Sequence, residues 1–155
     1  MIIVYVWLPK RVGSQKNVGH SSMLVGGLTY ISWWPDEAAG FGRDFHPIRN
    51  KSFQSDAKDE GSKPDATVLL DGLDENAILD WWQQFGLTRG HVEFQGPLPP
   101  YNLAKQNCST VVAHALRKGG GDKYATWFSS WSIIWRPQTL LEYAQAIQQG
   151  LAAKH

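Results

Sequence analysis

The chain has 155 residues, 43% of them hydrophobic, and 15 Lys plus Arg against 14 Asp plus Glu for a net charge of +1. That is enough apolar material for one domain, 1–155, to bury a core unaided, and the even spread of basic residues argues against nucleic acid or an anionic membrane as the main partner. A single cysteine, Cys108, excludes an internal disulfide, so folding requires no oxidising compartment.

Met1 to Leu8 is apolar, but it lacks a basic region before it and a small-residue cleavage site after it, and it is too short to span a bilayer. It reads as a first strand of a protein made in the cytoplasm without a signal peptide and not inserted in a membrane. Lys10 to Asn17 has the polar, Gly-containing character of a loop. His20–Val25 and Leu28–Trp33 flank Gly26-Gly27 as a hairpin, which Pro35 ends. From about 40 to 65 the chain turns polar and charged without apolar periodicity, which predicts a long loop. Ala66–Leu70 is strand-like. Asp74 then N-caps a helix, with Leu73 and Ile78 as a hydrophobic staple and Ile78, Trp81, Trp82 and Phe85 on one face before Gly86 stops it. His91–Gln95 reads as a further strand, and Pro97, Pro99 and Pro100 hold an extended approach to the next helix. That helix, Ser109–Lys118, places Val111, Val112, Ala115 and Leu116 on one face and ends at Gly119-Gly120-Gly121, with Cys108 in its first turn. A last helix opens at Pro137 and buries Leu140, Leu141, Ala144 and Ile147. The eight Trp residues build either the core or a ring-lined groove.

Cys108 carries the chemistry. A thiol at a helix start faces unpaired N–H groups and the positive end of the helix dipole, which favour the thiolate and can lower a cysteine pKa from about 8.5 to roughly 3.5–7.5. The same N–H groups, Cys108's own included, can hold an oxyanion. Asn107 is either the N-cap of this helix or a side-chain donor to that oxyanion. The bland alternative makes Cys108 a small buried core residue.

A nucleophilic thiol needs a base near neutral pH, and histidine is the usual one. His155 is terminal and His46 lies in the polar loop. His114 follows Cys108 by six residues on the same helix, which turns it away from the thiol. His20 opens a strand after Gly19, where a ring can project from the sheet edge, and His91 is the runner-up. With no paired cysteines, no His-Glu-x-x-His run and no acidic ligand loop, neither a metal nor a cofactor is expected.

Val18-Gly19-His20-Ser21-Ser22-Met23 followed by Gln106-Asn107-Cys108-Ser109-Thr110-Val111-Val112 resembles the permuted papain-like cysteine enzymes, a group related to NlpC-type peptidases and the lecithin:retinol acyltransferase family. There the histidine comes first, on a strand, and the cysteine later, at a helix start. Tyr30-Ile31-Ser32-Trp33-Trp34-Pro35 is also similar to segments of papain-like domains in bacterial toxins and secreted effectors. The resemblance implies an α+β fold, circularly permuted, with an antiparallel sheet packed against the helix that carries the cysteine. It further implies a cysteine peptidase or amidase that forms an acyl-enzyme on a peptide or protein amide, acting as a monomeric toxin or effector delivered into a target cell. A peptidoglycan-peptide amidase and a non-catalytic, Trp-rich binding module are the alternatives. The polar stretch from Arg43 to Lys63 reads as a solvated loop, with a cover for the cleft or a contact for a cognate inhibitor protein as the alternatives.

The group often places a third polar residue on the strand after the histidine, a position that Ser32 occupies. A two-residue turn at Gly26-Gly27 pairs His20 with Trp33 and turns Ser32 to the other face. A three-residue turn, Gly26-Gly27-Leu28, pairs Ser22 with Ser32 and puts Ser32 on the face of His20.

Overall fold

A computed structural model describes residues 1–12, 15–34, 52–88, 107–126, 132 and 134–154. Four strands form an antiparallel sheet in the order β5-β4-β1-β6: β1 (Ile2–Trp7), β4 (His20–Val25), β5 (Thr29–Ser32) and β6 (Ala66–Leu70). The helices are α1 (Phe53–Asp59), α2 (Glu75–Thr88), α3 (Cys108–Lys118) and α4 (Pro137–Ala152). The architecture is therefore α+β with an antiparallel sheet, as the sequence predicts. Among the described residues no helix is long and apolar enough to cross a membrane.

The strands alternate, and the register sorts their side chains onto two faces. Ile2, Val4 and Val6 of β1 stand beside Val25, Met23 and Ser21 of β4 and Leu70, Val68 and Ala66 of β6. This face meets α3 and α4, whose Val111, Val112, Leu116, Leu140 and Ile147 complete the core. Each such aliphatic side chain contributes about 1.5–3 kcal/mol by leaving water. The opposite face carries Tyr5 and Trp7, His20 and Ser22, and Tyr30 and Ser32. There Phe53 of α1 packs against Tyr5 and Trp7, with ring centroids 4.8 and 6.1 Å apart.

Three stretches depart from the sequence reading. Residues 10–17 contain a two-stranded ribbon, β2 (Lys10–Val12) paired with β3 (Gln15–Asn17), in place of a loop. Strands this short and this charged carry no apolar alternation to betray them. Helix α2 continues through Gly86 to Thr88, because an interior glycine weakens a helix by only about 1 kcal/mol. The polar stretch at 40–65 holds α1, opened by a reciprocal Ser52–Ser55 capping box. Its inward face is built around an aspartate, so a search for apolar periodicity passes over it. The expected strand at His91–Gln95, the prolines at 97, 99 and 100, and residues 40–51 of the polar loop lie outside the described residues, as do His46, His91 and His155.

The hairpin adopts the three-residue turn. Val25 pairs with Thr29 and Ser22 with Ser32, and Gly26 and Gly27 both take positive φ, which suits residues without a Cβ. Among the described Trp residues, Trp7, Trp33, Trp82 and Trp135 are buried in the body of the protein, while Trp34 is half-buried beside His20.

Candidate active site

Three chain segments that are far apart in sequence meet at one end of the sheet. Asn107 is the N-cap of α3: its Oδ1 accepts the Thr110 N–H at 3.0 Å, and the Thr110 hydroxyl accepts the Asn107 N–H in return. Its Nδ2 donates to the Trp135 carbonyl at 2.9 Å. The side chain thus fixes the helix start and ties it to the approach to α4. The cap and the first helical hydrogen bond use the N–H groups of Thr110 and Val111. The two first-turn donors they do not use belong to Cys108 and Ser109, next to the sulfur.

Cys108 is 5% exposed and His20 2%, and the two side chains share a hydrogen bond. The Ser21 backbone N–H also donates to the sulfur. Gly19 sets the approach of His20, with φ +79° and its N–H bonded to Asn17 Oδ1 at 2.8 Å. A Cβ at this position would run into the Trp7 carbonyl oxygen.

The other edge of the imidazole meets a residue that the sequence reading missed. Asp56, on α1, is fully buried, and its Oδ2 lies 3.1 Å from His20 Nε2. The same oxygen accepts the hydroxyls of Ser32 and Tyr30, each at 2.7 Å, and Oδ1 accepts the Trp34 indole N–H at 2.8 Å. Ser32 Oγ is itself 3.1 Å from Nε2. Since the Ser32 proton goes to Asp56, the Nε2 proton is shared between the carboxylate and the Ser32 oxygen, and Nδ1 is left to face the thiol. Trp34 stacks on the imidazole at 4.3 Å, completing a ring-and-carboxylate clamp.

The charges are mutually dependent. Burial opposes an imidazolium at His20, yet the negative sulfur of Cys108 and the hydrogen-bonded carboxylate of Asp56 raise its pKa from 6.5 to about 9. Burial likewise opposes a thiolate, but the positive His20 and the hydrogen bonds from His20, Ser21 and Ser109 bring Cys108 below its usual range. Asp56 is also held down: against its burial stand the bond and charge of His20 and the two hydroxyls. The arrangement favours a thiolate–imidazolium pair backed by a carboxylate. His114, on α3, is half-buried beside Arg117 and Lys118; burial first and those two charges next lower its pKa, and it takes no part in this cluster. Among the described residues, no group of three His, Cys, Asp or Glu side chains is arranged to hold a metal ion.

Asp56 was obscured by its setting in a charged run, where aspartates are common and usually solvated. The available signal was Ser52 and Ser55 at capping spacing, with Phe53, Asp56 and Ala57 on one helical face.

Comparison with known proteins fits a bacterial toxin setting. Over 109 residues, 67% of this chain, the sequence is 30% identical to the multifunctional-autoprocessing repeats-in-toxin of Vibrio cholerae and 31% identical to that of Vibrio vulnificus. The chain spans about 2% of the length of either toxin. No solved structure matches it. Residues 40–155, well over half of the chain, match the family described as the IcsB middle domain, and this stretch includes Asp56 and Cys108 but not His20 or Ser32. This chain belongs to the IcsB middle-domain family.

Proposed function

We propose that this domain is a papain-like cysteine acyl-transfer enzyme of permuted order, acting as part of a toxin or delivered effector on a peptide or protein amide. The observation that carries the reading is the Cys108–His20–Asp56 chain, assembled from α3, β4 and α1 in a nearly closed setting. The Cys108 thiolate attacks the amide carbonyl carbon, and the backbone N–H groups at the start of α3 hold the oxyanion. As the tetrahedral adduct collapses, the C–N bond breaks and the leaving amine takes the proton from His20 Nδ1. His20 then removes a proton from the incoming nucleophile, which attacks the thioester; the C–S bond breaks, and the sulfur leaves as thiolate beside the reprotonated His20, restoring the starting ion pair. Asp56 and Ser32 hold the imidazole in the tautomer that this sequence needs.

With water as the nucleophile the enzyme is a peptidase or amidase. The small exposure of Cys108 and His20 favours a second reading of the same thioester, in which a bound amine accepts the acyl group in place of water. A non-catalytic module has less support, because it requires no contact between His20 and the sulfur. The test is incubation of purified protein with candidate peptides, proteins and amine acceptors beside Cys108→Ala, with mass spectrometry of the products. Loss of every product in Cys108→Ala, with its circular dichroism unchanged, is the expected result; full activity in that variant overturns the reading. A mass gain on the acceptor separates transfer from hydrolysis.

A further inference from the structure

The sulfur has a second polar neighbourhood, on the opposite side of the sheet from Asp56. Ser21 sits on the core face of β4, beside Val6 of β1 and two residues from Met23, at a position that the strand pattern reserves for an apolar side chain. Ser109 is the second residue of α3. Both serines are fully buried, and their hydroxyl oxygens are 3.1 Å apart. Ser109 Oγ is 4.0 Å from Cys108 Sγ, and the backbone N–H of Ser21 donates to that sulfur. A buried hydroxyl is costly unless it is bonded, and alanine would fill either place without a polar atom.

Two hydroxyls bring two protons, one is used between them, and either oxygen can be the donor in that bond. The direction from Ser21 to Ser109 is the one that leaves the Ser109 proton to point at the sulfur. A neutral thiol is a weak acceptor and leaves this contact loose, whereas a thiolate draws the proton in and strengthens the chain behind it.

We propose that Ser21 and Ser109 form a hydroxyl relay that stabilises the Cys108 thiolate from the side away from His20, making both serines positioning residues for the nucleophile. The proposal rests on the thiolate reading above. It differs from a plain interlock between β4 and α3, which would hold the fold without touching the ionisation of the sulfur.

The test is the pH dependence of Cys108 alkylation by iodoacetamide in the full chain, for wild type, Ser21→Ala, Ser109→Ala and the double variant, with thermal melts alongside. Wild-type Cys108 should label with a midpoint below that of a free thiol; if it does not, the thiolate reading itself fails. Given that low midpoint, Ser109→Ala should raise it by about one pH unit, a roughly tenfold loss of labelling below the midpoint. Ser21→Ala should move it the same way by less, and the double variant should match Ser109→Ala, since the relay has one outlet. Ser109→Thr, which keeps the hydroxyl, should restore the wild-type midpoint. A wild-type midpoint in Ser109→Ala overturns the relay, whatever happens to the melting temperature. If Ser109→Ala does not fold, Ser21→Ala, whose change lies outside α3, decides in the same way: an unchanged midpoint overturns the proposal.

Discussion

Replacing Asp56 by Asn keeps the shape of the side chain and removes its charge, which isolates what the carboxylate does. Four donors converge on it: His20 Nε2, Ser32 Oγ and Tyr30 OH on Oδ2, and the Trp34 indole on Oδ1. An amide cannot meet all four. With Nδ2 toward Trp34, two N–H donors face each other. With Nδ2 in the place of Oδ2, the hydroxyls can rotate to accept, but His20 Nε2 must accept as well, which moves the ring proton to Nδ1 and points it at the sulfur. Either outcome removes the counter-charge of a buried imidazolium, a loss of about 3–5 kcal/mol for a broken buried pair. His20 relieves most of it by giving up its proton, so its pKa should fall from about 9 by roughly two pH units or more. Turnover should drop about 10³–10⁴-fold through the wrong tautomer. The assay is iodoacetamide labelling of Cys108 across pH 5–10 (roughly the span in which thiols and imidazoles titrate), with the His20 ring followed by NMR. A labelling profile and a His20 titration identical to wild type would refute the assignment of Asp56 as the imidazole's partner.

Other consequences are open to direct measurement. Gly19→Ala places a Cβ against the Trp7 carbonyl and 3.0 Å from Pro9 N at φ +79°, so it should destabilise the fold by about 2–3 kcal/mol, lowering the thermal midpoint by roughly 5–10 °C. Cys108 labelling should slow as His20 is displaced. The stability profile against pH follows from two opposing slopes. The raised pKa of His20 gives stabilisation that is full below about 6.5 and lost as the pH climbs through about 9. The lowered pKa of Cys108 gives stabilisation that is full above its ordinary 9.0 and lost as the pH falls through its folded value. Between about 6.5 and 9, as far down as Cys108 stays a thiolate, the two cancel, because the proton gained by one group is the proton given up by the other. Urea midpoints should therefore be flat over that range, and they should fall in acid as Cys108 and Asp56 protonate. A decline of about 3 kcal/mol across the window would mean that His20 carries its charge without a thiolate beside it.

The legible parts of the fold were the local ones. Cys108 at a helix start could be read because the Asn-Cys-Ser-Thr cap and the Val111, Val112, Ala115, Leu116 stripe lie within a dozen residues, and the structure places α3 there. His20 could be picked from order and strand context, but its meeting with Cys108 is a tertiary contact that no spacing encodes. Ser32 hung on one turn, whose two lengths are both compatible with glycines. Asp56 was hidden for a deeper reason. Burial patterns are read from apolar residues, and α1 buries a charge that is satisfied by three hydrogen bonds from neutral side chains and one from His20, none adjacent to it in sequence. The structure places Asn107 as the cap of α3, one of the two roles that its position in the chain allows.

The three-residue turn at Gly26-Gly27-Leu28 gives the hairpin tip an influence out of proportion to its setting. Leu28 is 92% exposed and touches none of the reacting groups. Yet the turn sets the frame in which β5 is read: it closes on the pair Val25–Thr29, and from that pair follows Ser22 opposite Ser32, on the face of His20. A slip of β5 by one residue along β4 would carry Ser32 to the side of Ser21 and Met23 and bring Ile31 or Trp33 to the face of the imidazole, without altering a single side chain at the site. Changes in the length of the loop that keep Val25 opposite Thr29 should therefore leave the site intact, and the demand on this exposed tip is on the pair that it closes, not on the residues that it shows to solvent.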